Sequence, residues 1–430
     1  MCPRFQSSKE ARHERACALL QTRGANPSVR GDHAVTEAQQ IRIIHIIGSL
    51  EGGGAERMLK RLVESHANDP RFQHHVVSLA NKGELGDGLR GRGVEVLTLD
   101  ARSLMDVPLV LMRLRSYIRE RQPCIVQTWM YHADLLGGLA ARLAGERRVI
   151  WGIRCTDVKQ GTSRLTGAVQ RLCAWLSHSV PQVIVCNAEA ARKAHEAIGY
   201  DRERMLVIHN GFELDVLRSG ASQRDEFRVR QGWSEREIVI GCIGRFNAYK
   251  HYENFVRAAG LVADQFASVR FVMVGKGLET RNGTLVKWLE GSGHRDRFHL
   301  LGERSDVPAC LAAMDIFCLS SRSEGFPNVV GEAMAAGLPC VVTDVGDAAF
   351  MVGATGLVVP KEDSIALAAA LSQLVTMTRD ERRSLGRRAQ ERASAEFTMT
   401  RARERFEAVY RELAEDEGDE PLKNHRVISS

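Results

Sequence analysis

Short apolar runs alternate with stretches of helical periodicity along this chain, and that alternation leaves few folds open. In the first half the runs fall at residues 41–47, 73–79, 94–99, 125–128, 149–153 and 183–187. In the second they fall at 238–243, 269–274, 298–301, 315–319, 339–343 and 356–359. Most are rich in Val, Ile and Leu, as in strands covered on both faces of a parallel sheet. Helix-like segments such as 55–67 and 328–336 lie between them, so the chain reads as repeated βαβ units. Helical patterns at 364–376, 379–395 and 398–413 close it.

A chain of 430 residues exceeds one ordinary core and calls for two domains. Asn210-Gly211 is a turn signal, and the polar, charged stretch 217–231 beyond it reads as a junction. The expected organisation is a polar extension over 1–40, a first Rossmann-like domain over 41–215 and a junction over 216–236. A second Rossmann-like domain follows over 237–395, then a closing helix over 396–413 and a tail over 414–430.

Hydrophobic content of 44% and charged content of 26% are those of a soluble globular protein. Ten cysteines occur without a CxxC pair, and Cys186, Cys242, Cys318 and Cys340 lie inside apolar runs. Buried reduced thiols in a reducing compartment are expected. No Cys/His spacing suits zinc, so no metal is expected. No run of eighteen apolar residues occurs, and 1–40 lacks a signal-type apolar core. Residues 41–215 carry 24 Lys/Arg against 19 Asp/Glu. That bias suits an anionic membrane surface or phosphate-bearing ligands. Nucleic acid is not expected, because no basic run has interleaved aromatics.

The chemistry concentrates in the segment EGFPNVVGE, residues 324–332. Glu324 falls in a loop past an apolar strand, and Glu332 on the helix that begins near Asn328. Open α/β sheets bind ligands at that edge. The helix start offers N–H groups to an anion, and the carboxylates can reach hydroxyls around it: Glu332 those of a ribose, Glu324 those of a sugar. The bland reading is two exposed acids favoured by the helix dipole, but Gly325, Phe326 and Pro327 build a constrained turn rather than a plain cap. Arg245 and Lys250 flank a loop after the 238–243 run and suit a diphosphate, or else are surface cations. Gly53 and Gly54, in Gly52-Gly53-Gly54, follow the first strand and open a helix; they allow close approach of a ligand or simply make a βα turn. His132 follows the 125–128 run, where it can polarise a hydroxyl or be structural. Asp134 reads as a cap for a helix from Leu135. Leu165, Val169, Leu172 and Trp175 recur at helical spacing beside Arg164 and Arg171, which fits either core packing or a membrane surface.

Together these residues resemble the retaining GT-B glycosyltransferases of family 4 from about Ile41 to Leu413. The resemblance rests on EGFPNVVGE as an E-x7-E signature, GGGAER at 52–57, VIHNGFE at 207–213, GRFNAYK at 244–250 and TDVGDAAFMVGATGLVVP at 343–360. The stretch QTWMYHADLLGGLAARLAG at 127–145 resembles a branch associated with bacterial O-antigen, capsule or exopolysaccharide assembly. The resemblance implies two Rossmann-like domains facing a central cleft, with the C-terminal helix packed back on the first. It implies sugar transfer from a nucleotide diphosphate sugar, a UDP-sugar, to a glycan or lipid-linked acceptor with retention, needing no metal or other cofactor. Arg245 and Lys250 would hold the diphosphate, Glu324 the donor sugar and Glu332 the ribose, and the loop of Gly53 and Gly54 would approach donor phosphate and acceptor. Gly325, Phe326, Pro327 and Asn328 would belong to the donor site, His132 would contact transferred sugar or acceptor, and Arg304 would lie where the base is held. A cytoplasmic protein with peripheral contact at the inner membrane is implied. Two departures stand out: Phe350 replaces an acid after TDVG, and His251 follows GRFNAYK where Asp or Asn is usual. An inactive nucleotide-sugar-binding partner, a UDP-sugar epimerase on the same scaffold and an NAD enzyme are the rivals; the last lacks its G-x-G-x-x-G.

Overall fold

The computed structural model describes residues 40–81, 83–156 and 164–415. The expected extension before residue 40 and the end of the tail lie outside them. Seven parallel strands form the first sheet: β1 (Ile41–Ile47), β2 (Phe72–Ser78), β3 (Glu95–Thr98), β4 (Ile125–Trp129), β5 (Val149–Ile153), β6 (Val183–Cys186) and β7 (Met205–Val207). Their order is β3-β2-β1-β4-β5-β6-β7. Six more form the second: β8 (Ile238–Ile243), β9 (Val269–Val274), β10 (Phe298–Gly302), β11 (Ile316–Leu319), β12 (Cys340–Thr343) and β13 (Gly356–Val359), in the order β10-β9-β8-β11-β12-β13. Strands β4, β5, β6, β11 and β12 are buried throughout, because helices cover both faces of each sheet.

Strand order reverses between β1 and β4 in the first sheet and between β8 and β11 in the second. Such switch points open a crevice at the strands' carboxyl ends. The segments leaving these four strands carry Gly53 and Gly54, His132, Arg245 and Lys250, and Glu324.

The helix Met399–Glu415 returns to the first sheet. Met399, Ala402, Phe406, Val409, Tyr410 and Leu413 recur at three- and four-residue steps and bury against Ile43, Ile47, Trp129 and Ile150. Full burial of each large side chain is worth about 2 to 3 kcal/mol. The Tyr410 hydroxyl also donates to Gln127 Oε1 on β4. The chain thus crosses twice between the halves. The crossings pair side by side, with Phe212 N donating to Phe397 O at 2.9 Å and Met399 N to Phe212 O at 3.0 Å.

The stretch expected to be a polar junction is folded. It contains the helices Leu214–Ser219 and Arg224–Arg230, which bury Leu217, Phe227 and Trp233. Arg224 and Arg228 both reach Asp315 ahead of β11, at 2.6 and 3.0 Å. The exposed charges hid one apolar face. Asp134 is likewise not a cap: its helix, Tyr131–Ala144, begins earlier, and its buried carboxylate accepts from Thr128 Oγ1 at 2.6 Å and Gly152 N at 3.3 Å. Burial raises its pKa to about 7. Among the described residues no helix is long and apolar enough to cross a membrane.

Candidate functional site

Lys250 and Glu324 meet although 74 residues separate them. Strands β8 and β11 are paired neighbours, so their loops emerge side by side. Lys250 Nζ lies 2.7 Å from Glu324 Oε1, and the same oxygen accepts from Ser321 Oγ at 2.7 Å. The loop is pinned elsewhere too: Ser320 Oγ donates to Lys250 O at 3.0 Å, and Arg322 N to Tyr249 O at 2.8 Å. Arg245, one residue past Gly244, is exposed and has no partner among the described residues. A fixed ammonium beside a free guanidinium is suited to an anion with several oxygens.

His251 follows Lys250 with φ 47° and ψ 52°. That left-handed conformation is one Asn, Asp and His adopt more readily than most residues, which accounts for His where the family resemblance expects Asp or Asn.

The helix Asn328–Ala335 starts directly after Pro327, at the end of the loop that carries Glu324. The glycine loop after β1 faces it: a Cβ built on Gly54 would lie 3.3 Å from Asn328 Nδ2. Gly52 has φ +108°, which an L side chain rarely adopts, so the turn into the Gly54–Ser65 helix needs glycine there. Asn210 Nδ2 donates to Asn328 Oδ1 at 2.8 Å, and Arg154 Nη1 donates to Asn210 Oδ1 at 3.0 Å. Arg154 is stacked 4.5 Å from the Trp129 ring centroid, and burial pushes its pKa down to about 10.

Neither acid of the pair is an exposed helix-start carboxylate. Glu332 is 8% exposed, in the second turn, and its Oε1 accepts from Arg61 Nη2 at 3.3 Å. Arg61 belongs to the glycine-loop helix of the other half and also donates to Gly211 O. Oε2 of Glu332 has no partner among the described residues.

His132 is exposed at the second position of its helix, and partial desolvation lowers its pKa. It has no hydrogen-bond partner among the described residues. Met130, two residues earlier, has φ 73° and ψ 158°, a region that is almost exclusively glycine's. This strain, on the order of 1–3 kcal/mol, sits two residues before His132. The neighbouring Tyr131 is held from inside by His195 Nε2 at 2.7 Å.

Phe326 is buried between the halves, 5.1 Å from His209 and 5.6 Å from Phe397 by ring centroids, so only its backbone is available to the loop's chemistry. Arg304 is held by Asp306 through two bonds, 2.8 and 2.6 Å, and lies over Phe227. Phe350 packs against His209 at 5.1 Å, with Arg392 5.5 Å away, so an aromatic contact occupies the position where an acid was expected. Among the described residues no group of three His, Cys, Asp or Glu is arranged to hold a metal. A surface depression of about 560 Å³ lined by His66, His74, His75 and Glu95 lies on the outer side of the first sheet, and none of the predicted residues lines it.

Sequence reading missed Arg61, Arg154, Asn210, Ser321 and Asp347. Arg61, Arg154, Asn210 and Asp347 gain their places from contacts across the halves or between loops, Ser321 from Glu324 in its own loop, and none carries a local motif beyond VIHNGFE and TDVGD.

The description "Glycosyltransferase Family 4" matches residues 52–216, and "Glycosyl transferases group 1" matches residues 237–377. The chain belongs to the group 1 glycosyltransferases. It is similar to EpsF of Bacillus subtilis, assigned as a glycosyltransferase, at 25% identity over 71% of this chain and 80% of that one. It is also similar to the UDP-Gal:alpha-D-GlcNAc-diphosphoundecaprenol alpha-1,3-galactosyltransferase of Escherichia coli, at 27% identity over 61% of this chain and 68% of that one. Anabaena Alr3699/HepE, solved with UDP, superposes with a TM-score of 0.75 at 22% identity, over 86% of this chain and 99% of that one. The last likeness establishes the GT-B fold. As a group 1 glycosyltransferase, this chain is an enzyme that transfers glycosyl groups.

Proposed function

We propose that this glycosyltransferase moves a sugar from a UDP-sugar to a hydroxyl of a lipid-linked or glycan acceptor, with retention, in bacterial surface-polysaccharide synthesis. The observation that carries the reading is the Lys250–Glu324 pair at 2.7 Å, beside the exposed Arg245 and the start of the Asn328–Ala335 helix. The C1–O bond to the β-phosphate breaks as the acceptor oxygen bonds to C1 on the same face, and the acceptor proton passes to the departing phosphate oxygen. Charge growing on the diphosphate meets Lys250, Arg245 and the helix N–H groups. Glu324 engages donor-sugar hydroxyls and shares in stabilising oxocarbenium character. Oε2 of Glu332 takes a ribose hydroxyl while Arg61 holds Oε1. These cations do the work a metal does elsewhere, so transfer proceeds without one.

The donor assignment is supported by the UDP-Gal in the E. coli relative's name and by the UDP and UDP-glucose bound to the Anabaena neighbour. The acceptor assignment draws on the diphosphoundecaprenol in the same name. A place on the cytoplasmic membrane face fits the helix Arg164–Leu176. Its inner face carries Gln170, Cys173 and Ala174, while Leu165, Leu172 and Trp175 point outward beside Arg164 and Arg171. Core packing accounts for Val169 but not for Trp175, 73% exposed, or for Leu165 and Leu172, and a basic apolar face suits an anionic bilayer.

The test is product formation from UDP-sugars with diphosphopolyprenol-linked acceptors, with and without EDTA, detected by mass spectrometry and assigned for anomeric configuration and donor identity by NMR. Product with retained configuration in EDTA supports the reading. Donor isomerisation without acceptor would favour the epimerase, and binding with no turnover the inactive partner.

A further inference from the structure

Asp347 touches three parts of the molecule at once. Its backbone N donates to Gly325 O at 2.9 Å, within the loop that carries Glu324. The preceding Gly346 lies so close that a Cβ there would meet Gly325 O at 2.3 Å and Glu324 O at 2.5 Å. Its carboxylate reaches into the other half: Oδ2 accepts from Glu189 N at 2.7 Å and Oδ1 from Ala190 N at 3.0 Å. Those are the first two N–H groups of the helix Glu189–Glu196, whose own preceding residue, Ala188, has no side-chain oxygen to cap it. Glu189 itself faces away to Arg192 at 2.6 Å. His209, on the first crossing segment, brings Nε2 to 3.4 Å from Oδ2.

We propose that Asp347 is a positioning residue that couples closure of the two halves to placement of Glu324. A carboxylate capping a helix belongs, as a rule, to the residue before that helix; here it arrives from 158 residues away. Opening the cleft separates Asp347 from Glu189 and Ala190 and leaves two N–H donors and a carboxylate to water. Closing restores two charge-assisted bonds. Because Asp347 and Gly346 support the backbone of Glu324 and Gly325, the same closure fixes the acid that faces the donor sugar. Gly325 contributes from its side, with a Cβ position 3.4 Å from Thr156 Oγ1 and 3.5 Å from Asn187 Oδ1 of the other half. A methyl group fits at those distances, whereas a side chain reaching beyond Cβ would press on the other half.

The inference rests on the cleft being the transfer site, so its test reads closure separately from activity. Hydrogen exchange is followed at the Glu189 and Ala190 amides of the full chain, with and without UDP. In the unmodified chain UDP slows both amides. Asp347→Ala speeds their exchange by about tenfold or more and abolishes the UDP effect, while melting stays within a few degrees. Asp347→Asn, which keeps one acceptor oxygen, falls between. With a working acceptor, Asp347→Ala lowers kcat by about tenfold while the donor KM moves by less than about threefold. Unchanged exchange at both amides in Asp347→Ala overturns the proposal, and so does a loss of kcat that only follows lost thermal stability. UDP-dependent protection without transfer to any acceptor would remove the functional reading and leave the latch standing.

Discussion

The two sides of the cleft are built by different means. On the second sheet, Lys250 and Ser321 both contact Glu324 within one domain, on loops from paired strands. On the first sheet, the polar groups at the cleft are fixed largely by partners from the other half: Arg61 by Glu332, Arg154 through Asn210 to Asn328, and Glu189 and Ala190 by Asp347. The second half carries its donor machinery ready-made, and the first becomes a site by docking against it. Substitutions in the second half should therefore damage chemistry directly, and those in the first should act through closure.

The largest effect that tests this contrast is at the ion pair. Glu324→Ala and Lys250→Ala should each lower kcat by about 100-fold to 1000-fold, measured as product formation at saturating donor, with melting little changed. Collapse of thermal stability with normal activity per folded molecule would contradict the site. Glu332→Ala should next weaken UDP binding by about tenfold or more in calorimetry, and Arg61→Ala by less, because Arg61 touches only Oε1. An equal loss in both would mean that the Arg61 contact, rather than a ribose bond, is what matters at Glu332.

Acid should separate the halves as well. His45 and His195, both buried in the first half, have pKa values lowered by desolvation to about 3 and about 4, and burial also lowers His66, His74 and His75. The unfolded rings bind more protons, so stability is complete above about pH 6.5 and is lost as pH falls toward 4, on the order of 3 kcal/mol each for His45 and His195. Asp134, raised to about 7, works the other way and offsets roughly one ring over the same span. The expected result is that strands β1 and β2 lose hydrogen-exchange protection at a higher pH than β8 and β9 do. The reverse order would break the comparison. The smallest effect is at the surface: Leu172→Ala with Trp175→Ala should weaken flotation with anionic liposomes several-fold, with transfer to a soluble acceptor analogue unchanged.

What the sequence made legible follows the same division. Strands β1, β5, β8, β9 and β13 were readable to the residue, because parallel strands covered on both faces are bounded apolar runs. The edge strand Met205–Val207 was not, since three residues carry too little pattern. The helices at 214–230 were hidden because charged outer faces masked Leu217 and Phe227. Glu324 and Lys250 were legible because each sits in a short loop beside a recognisable run. Arg61, Arg154 and Asp347 were not, because their partners lie far off in sequence and nothing local marks them. The strain at Met130 was equally silent, as no residue type there announces it.

The most direct measurement is thermal melting of the purified chain with UDP, GDP, ADP, CMP and NAD, in EDTA, beside Glu332→Ala. Ligand bound to the folded state raises the melting point by mass action. A rise with UDP that survives EDTA and is lost in Glu332→Ala is the predicted result. No rise with any nucleoside diphosphate, or a rise with NAD alone, would contradict a donor site built on Lys250, Glu324 and Glu332.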